Sequence, residues 1–178
     1  MPAPLLREEN AVARRFAALD TDFLIGIRDG VEDCLTVADW LSQSNLHPLV
    51  SETVLHELAD IKRLDPSPDV RNMAHEILSS LSVWNFLTPP LSSMQRGIAE
   101  QVANKILARG CLGDDPLLNE GLIIAEAALL ECTMIVSNSK SMGNASADHL
   151  KLVLLESDVC DLFVVSTNEV IEYLNSKK

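Results

Sequence analysis

The chain alternates short apolar runs with longer stretches whose apolar positions recur at helical spacing. Phe16-Ala-Ala-Leu-Asp20 has the length and composition of a buried strand and stops on an acid, with Arg14 and Arg15 before it. Helices are predicted over Asp22–Ile27 and over Val31–Leu41, the second carrying Val31, Cys34, Leu35, Ala38 and Leu41 as its apolar positions. Leu46-His-Pro-Leu-Val50 is a second strand running into Ser51, a good helix N-cap, and Val54, Leu55, Leu58 and Ile61 form one stripe up to Leu64. Asp65-Pro-Ser-Pro-Asp69 breaks that pattern, and Val70–Trp84 resumes it with Met73, Ile77, Leu78 and Leu81 on one face.

Farther along, Phe86-Leu-Thr88 reads as a short strand closed by Pro89-Pro90. Ser92 and Gln95 have capping-box spacing, and Gly110 is a natural helix stop. Asp115-Pro116 pairs an N-cap acid with a proline suited to a first helical position, predicting a helix to about Glu131. Thr133–Val136 is a buried-type strand, Ser137–Ser146 a loop, Leu150–Leu155 helical, and Leu162–Val165 another strand. Ser166 with Glu169 opens a last helix to about Asn175. Strands that alternate with helices predict an α/β fold, a three-layer α/β/α sandwich around a short, mainly parallel sheet of roughly four or five strands. One domain over residues 1–178 is expected, with an enlarged helical section at about 65–113. Ligands of such sheets bind at the carboxyl ends of the strands, which draws attention to Asp20, Ser51 and Ser137.

Composition narrows the chemistry. Hydrophobic residues at 47% and charged residues at 22% are ordinary for a globular chain and exclude a disordered one. A net charge of −12 argues against nucleic-acid binding through a broad basic surface, yet leaves room for an acidic pocket that meets phosphate through a divalent cation. Four cysteines lack zinc-site spacing, and Cys132 and Cys160, in apolar stretches, read as buried reduced thiols. The amino-terminal residues lack a signal-peptide run, and Gly121–Val136 is interrupted by Glu126 and Glu131 and too short to span a bilayer. The expected compartment is the cytoplasm, where the sequon Asn144-Ala-Ser146 has no role, and no membrane partner is expected.

Four segments, in order, resemble the motifs of PIN-domain nucleases. Phe16-Ala-Ala-Leu-Asp20-Thr21-Asp22 is similar to that family's opening strand, and Val50-Ser51-Glu52-Thr-Val-Leu-His-Glu57 to its second motif, a strand, a serine and a helix bearing Glu. Asn119-Glu120-Gly-Leu-Ile-Ile124-Ala125 is similar to the third, where the family more often has Asp at the position of Glu120. Ile135-Val136-Ser137-Asn138-Ser139 is similar to the fourth, which normally ends on Asp. The resemblance spans roughly residues 16–174, with 65–113 as an insertion. It implies metal-dependent cleavage of single-stranded RNA, with Asp20, Glu57 and Glu120 as the catalytic acids holding Mg²⁺ or Mn²⁺. Asp22, Ser51, Ser137, Asn138 and Ser139 would support them, and Lys140 would contact a phosphate. Because the family includes toxins of toxin–antitoxin pairs, an antitoxin-like partner and a homodimer are also implied.

The residues themselves agree in part with that reading. A hard cation takes carboxylate oxygens and keeps waters, and it can activate one of those waters. Glu57 falls between the apolar positions of its stripe, and Glu120 shares a face with Ile124 and Ala127. Ser139, and Ser141 two residues on, bring hydroxyls without charge, so a second cation should bind more weakly, and a catalytically silent binding or assembly module is the alternative. A more distant alternative is a haloacid-dehalogenase-type phosphatase, built on Asp20-Thr-Asp22, Ser51, Lys105 and Gly113-Asp114-Asp115. His56 and Asp60, four apart on a helix, read as a surface pair. Neither a phosphate-binding glycine loop nor a nucleophile elbow is present.

Overall fold

The structure, a computed structural model, describes residues 15–113 and 115–177. The amino-terminal stretch, Arg14 and Asp114 lie outside these. Four strands, β1 (Arg15–Leu19), β2 (Leu46–Leu49), β3 (Cys132–Val136) and β4 (Phe163–Val165), form one parallel sheet in the order β2-β1-β3-β4. The central strand β1 is almost wholly apolar, and Ala17, Ala18 and Leu19 are buried because helices cover both of its faces.

Strand order and crossover handedness distribute the helices. From β1 the chain moves outward to β2 through α1 (Thr21–Arg28) and α2 (Glu32–Gln43). From β2 it returns across β1 to β3 through α3 (Glu52–Leu64), α4 (Pro68–Ser80), α5 (Ser93–Ala108) and α6 (Leu118–Leu129). It continues the same way to β4 through α7 (Lys140–Gly143) and α8 (Ala147–Glu156), and ends in α9 (Thr167–Ser176). Right-handed crossovers put α2 on one face and the second and third groups on the other, while α1, at the carboxyl end of β1, packs on α3 and α4. The contacts agree: α2 packs on α9 and β2, whereas α6 packs on β3, α5 and α3, and α5 also meets α8. The result is the α/β/α arrangement expected from the pattern, around one continuous core from Ala17 to Val170. The section at 65–113 supplies α4 and α5, which bury Ala74, Ile77, Val102 and Ile106 in that core.

Local differences have identifiable causes. Phe86–Thr88 is not a strand; only Leu87 pairs, bridging to Leu49 at the sheet edge, and Pro89-Pro90 ends it. The helix after α3 stops at Ser80, and Asn85, with φ 60, closes a turn before Phe86. Asp115 does not cap α6: its φ of 50 is left-handed, not the extended backbone of an N-cap, and α6 starts at Leu118 with Leu117 in the cap position. Within the expected loop of residues 137–146 the chain makes α7, capped by Ser139. Cys132 is buried as expected, but Cys160 is exposed because it lies in the open segment before β4. Inside α6, Gly121 lets the α5 backbone approach, as a Cβ there would stand 3.2 Å from the Ala103 carbonyl oxygen.

Candidate acidic site

The site is built at the carboxyl ends of β1 and β3. Asp20 follows β1 directly, and its N–H still donates to the Val136 carbonyl at 3.2 Å, so the strand pairing carries it into place. Its side chain caps α1 by accepting the Phe23 N–H at 2.8 Å, and its other oxygen accepts the Ser137 hydroxyl. Ser137 in turn accepts the Ser139 N–H at 3.0 Å. Asp20 is only 2% exposed, and burial pushes its carboxyl up to about 6. The hydrogen bonds from Ser137 and from the Phe23 amide oppose that rise, while the nearby charge of Asp22 adds to it.

The other two acids come from helices on the far side of β1. Glu57, one turn inside α3 and half-buried, accepts the Thr21 hydroxyl at one oxygen and the Asn119 amide at the other, 2.8 Å away. Glu120, in the first turn of α6, accepts the Leu117 N–H at 2.9 Å and so caps its own helix. Its second oxygen takes both the Ser139 hydroxyl, at 2.5 Å, and the Ser141 hydroxyl. The two serine hydroxyls are 3.0 Å apart. One hydrogen-bonded chain therefore runs from Asp20 through Ser137 and Ser139 to Glu120, and Asn119, the neighbour of Glu120, joins Glu57 to it.

Not every sequence candidate converges there. Ser137 and Ser139 do. Asn138 turns away: its carbonyl oxygen accepts the Thr167 hydroxyl at 2.6 Å and its amide faces Cys34, tying β3 to α9 and α2. Asp22 is exposed in the first turn of α1 and acts on Asp20 through its charge. Ser51 continues the β1–β2 register beside Asp20, and its hydroxyl is buried without a partner and does not cap α3. Lys140 is exposed beside Ser139, at a cavity of about 530 Å³ lined by Ser137, Ser139, Asn144, Thr167 and Asn168. Of the other readings, Asp60 pairs with Arg63 at 2.9 Å instead of His56, and Lys105 reaches Ser157 at the C-cap of α8. Thr21, Asn119 and Ser141 complete the site; the first two flank sequence candidates directly, and that adjacency is the signal for them. A separate cavity of about 780 Å³ is lined by Arg15, Leu46, Thr133 and Phe163 toward the amino ends of the strands and by none of the three acids.

The donor set suits a hard cation in kind. The carboxylates and serine hydroxyls offer oxygen atoms, and Mg²⁺ is typically held by one or two carboxylates while keeping several waters. The buried carboxyl of Asp20 and the unpartnered hydroxyl of Ser51 both gain from a polar occupant. Among the described residues no group of three His, Cys, Asp or Glu side chains stands ready as a metal cage. Hydroxyls and water would have to fill the remaining directions.

No protein-family model matches the sequence, and no curated protein does. Solved structures do. A Rickettsia felis VapBC2 structure, bound to a DNA fragment from its promoter, matches with a TM-score of 0.53 at 12% identity over 85% of this chain and 98% of that one. FitAB bound to an IR36 DNA fragment matches at 0.52 and 13% identity, over 85% and 94%. FitAcB from Neisseria gonorrhoeae matches at 0.50 and 16%, over 85% and 97%. At such identities the likeness is one of fold. The four parallel strands in this order, with helices on both faces, and the likeness to these structures make this a PIN-like fold.

Proposed function

We propose that this chain is a metal-dependent endoribonuclease of the PIN type with a reduced acidic site, acting on single-stranded RNA. The observation that carries the reading is that Ser137 and Ser139 link Asp20 after β1 to Glu120 on α6 at the carboxyl ends of the strands, with Glu57 on α3 held by Asn119 beside Glu120. Asp20 and Glu120 would hold Mg²⁺ or Mn²⁺, with Glu57 as the third acid. When bound, such a cation polarises a phosphate oxygen and lowers the pKa of a water on it. The chain's residues hold the acids in place. Ser137 and the Phe23 N–H orient Asp20, Thr21 and Asn119 orient Glu57, and Ser139 and Ser141 orient Glu120. Lys140 provides a cation for an RNA phosphate on the rim of the adjoining cavity. The toxin-like role and an antitoxin-like protein partner belong to the same proposal, supported by the likeness in fold to VapBC2 and FitAB, and a homodimer and a cytoplasmic location are proposed with them.

A second reading, a PIN-like module that binds without cutting, is favoured by one observation: two neutral serines, not an acid, face Glu120. Labelled single-stranded RNA incubated with Mn²⁺ and either the natural chain or Asp20→Asn separates the two. The nuclease reading expects cleavage by the natural chain alone. Cleavage by both would remove Asp20 from the mechanism, and retention of RNA without cleavage by either would establish the silent module.

A further inference from the structure

We infer that Glu126 is a positioning residue, which caps α3 from α6 and thereby sets Glu57 against Asn119, the neighbour of Glu120. The consequence for activity rests on the nuclease reading; the clamp does not. The first turn of a helix leaves N–H groups without partners inside the helix. Ser51 stands at the N-cap of α3 with extended backbone, the usual arrangement for a side-chain cap, yet its hydroxyl makes none. The cap comes instead from 73 residues away: the Glu126 carboxylate accepts the Thr53 N–H at 3.0 Å and the Thr53 hydroxyl at 2.8 Å. Glu126 is 5% exposed and is the single charged residue in the otherwise apolar or small run Gly121–Ala128. A carboxyl in such a place is costly unless its hydrogen bonds are made.

Geometry links this contact to the site. On α3, Thr53 and Glu57 are four residues apart and share a face; on α6, Asn119 and Glu126 are seven apart and also share one. Thr53 meets Glu126 and Glu57 meets Asn119, so the two helices are tied at two levels. Two ties, one turn apart on α3 and two turns apart on α6, fix both the slide and the rotation of α3 along α6, which one tie alone would leave free. The upper tie delivers Glu57 to the acidic site, and Glu120 follows Asn119 on the same helix. A shift of about 1 Å in such a constellation is enough to spoil metal-assisted chemistry.

The test uses the full chain with Glu126→Ala and Glu126→Gln, because glutamine can accept from the Thr53 N–H and donate to its hydroxyl. Three readouts are taken at a temperature where each variant is folded: the Asn119 side-chain amide resonances, Mn²⁺ affinity by electron paramagnetic resonance, and kcat and KM for RNA cleavage. Glu126→Ala should move the Asn119 resonances, weaken Mn²⁺ binding by about tenfold or more, and lower kcat by a similar factor with KM within about twofold. Glu126→Gln should restore all three. A folded Glu126→Ala protein with a lower melting temperature but unmoved Asn119 resonances and unchanged kcat would overturn the inference, leaving Glu126 a stabiliser only. If Glu126→Ala does not fold, Thr53→Val removes one bond of the clamp, and the same shift or its absence decides. If the natural chain neither binds Mn²⁺ nor cuts RNA, the nuclease reading falls and the Asn119 resonances alone judge the clamp.

Discussion

Asp20 shows what a single residue is asked to do here. It ends a buried strand, caps a helix and has its carboxyl pushed up to about 6 by burial, so its charge at neutral pH is carried at a cost to folding. The sign follows from proton binding: between roughly pH 4 and 6 the folded chain holds a proton that the unfolded chain has lost, so this residue's contribution to stability falls as pH rises through that window. Asp20→Asn should therefore raise the melting temperature at pH 7.5, by an amount corresponding to about 1–3 kcal/mol, while changing it little near pH 4. Thermal melts at the two values check this. Added Mn²⁺ should stabilise the natural chain and not the variant, since only the carboxylate differs in its affinity for the ion. Ser139→Asp tests the missing fourth acid. Aspartate is as good an N-cap as serine, so α7 should persist, and Mn²⁺ affinity should rise about tenfold if the serine is what weakens the site. Titration of Mn²⁺ against both proteins measures it; equal affinities would show that the position does not face the cation.

At the scale of elements, α3 is held at its amino end from two sides. Glu126 caps it from α6, and Glu52 makes a two-pronged ion pair with Arg96 on α5, at 2.7 and 2.8 Å, while accepting the Leu91 N–H. The Arg96 guanidinium is the main reason the Glu52 carboxyl is lowered to about 2. Here the sign is opposite to that of Asp20. The stabilisation is fully present above about pH 4.5 and is lost as pH falls through about 2. Arg96 is half-exposed, so the effect is screened and modest. Arg96→Ala should shift acid unfolding to higher pH, as read by circular dichroism, and the shift should shrink in high salt. An unchanged acid midpoint would show that the pair does not anchor α3. Element identities were largely legible in apolar spacing, because Phe16–Leu19 or the stripe Val54–Ile61 carries its period locally. Caps were less so. Ser92 and Ser166 close the boxes their spacing announces, whereas Ser51 and Asp115, equally good candidates, do not cap at all. A cap depends on which acceptor arrives first, and for α3 that acceptor lies on α6.

For the whole molecule, charge and topology act together. The net charge of −12 opposes RNA, so association should be weak in chelator and should strengthen at least about tenfold when Mn²⁺ is added. Fluorescence anisotropy with a labelled single strand reads this directly, and equal binding in chelator would mean that a basic surface, not the acidic site, holds RNA. No helix among the described residues is long and apolar enough to cross a membrane.

Local order in the sequence already contained the alternation of strands and helices, the acid at the end of β1 and the order of the four motifs, since each rests on neighbours a few residues apart. It also contained Glu126, visible only as an interruption in an apolar run. What it did not contain was distance. That Ser139 and Ser141 share one oxygen of Glu120 and that α3 is capped by a residue 73 positions away follow from where the crossovers stack α6 beside α3 and β3, and that Asn138 faces α9 follows from the packing of α9 against α2. Hydrogen bonds form between groups that packing brings together, and the packing of helices distant in sequence is settled only when the core closes.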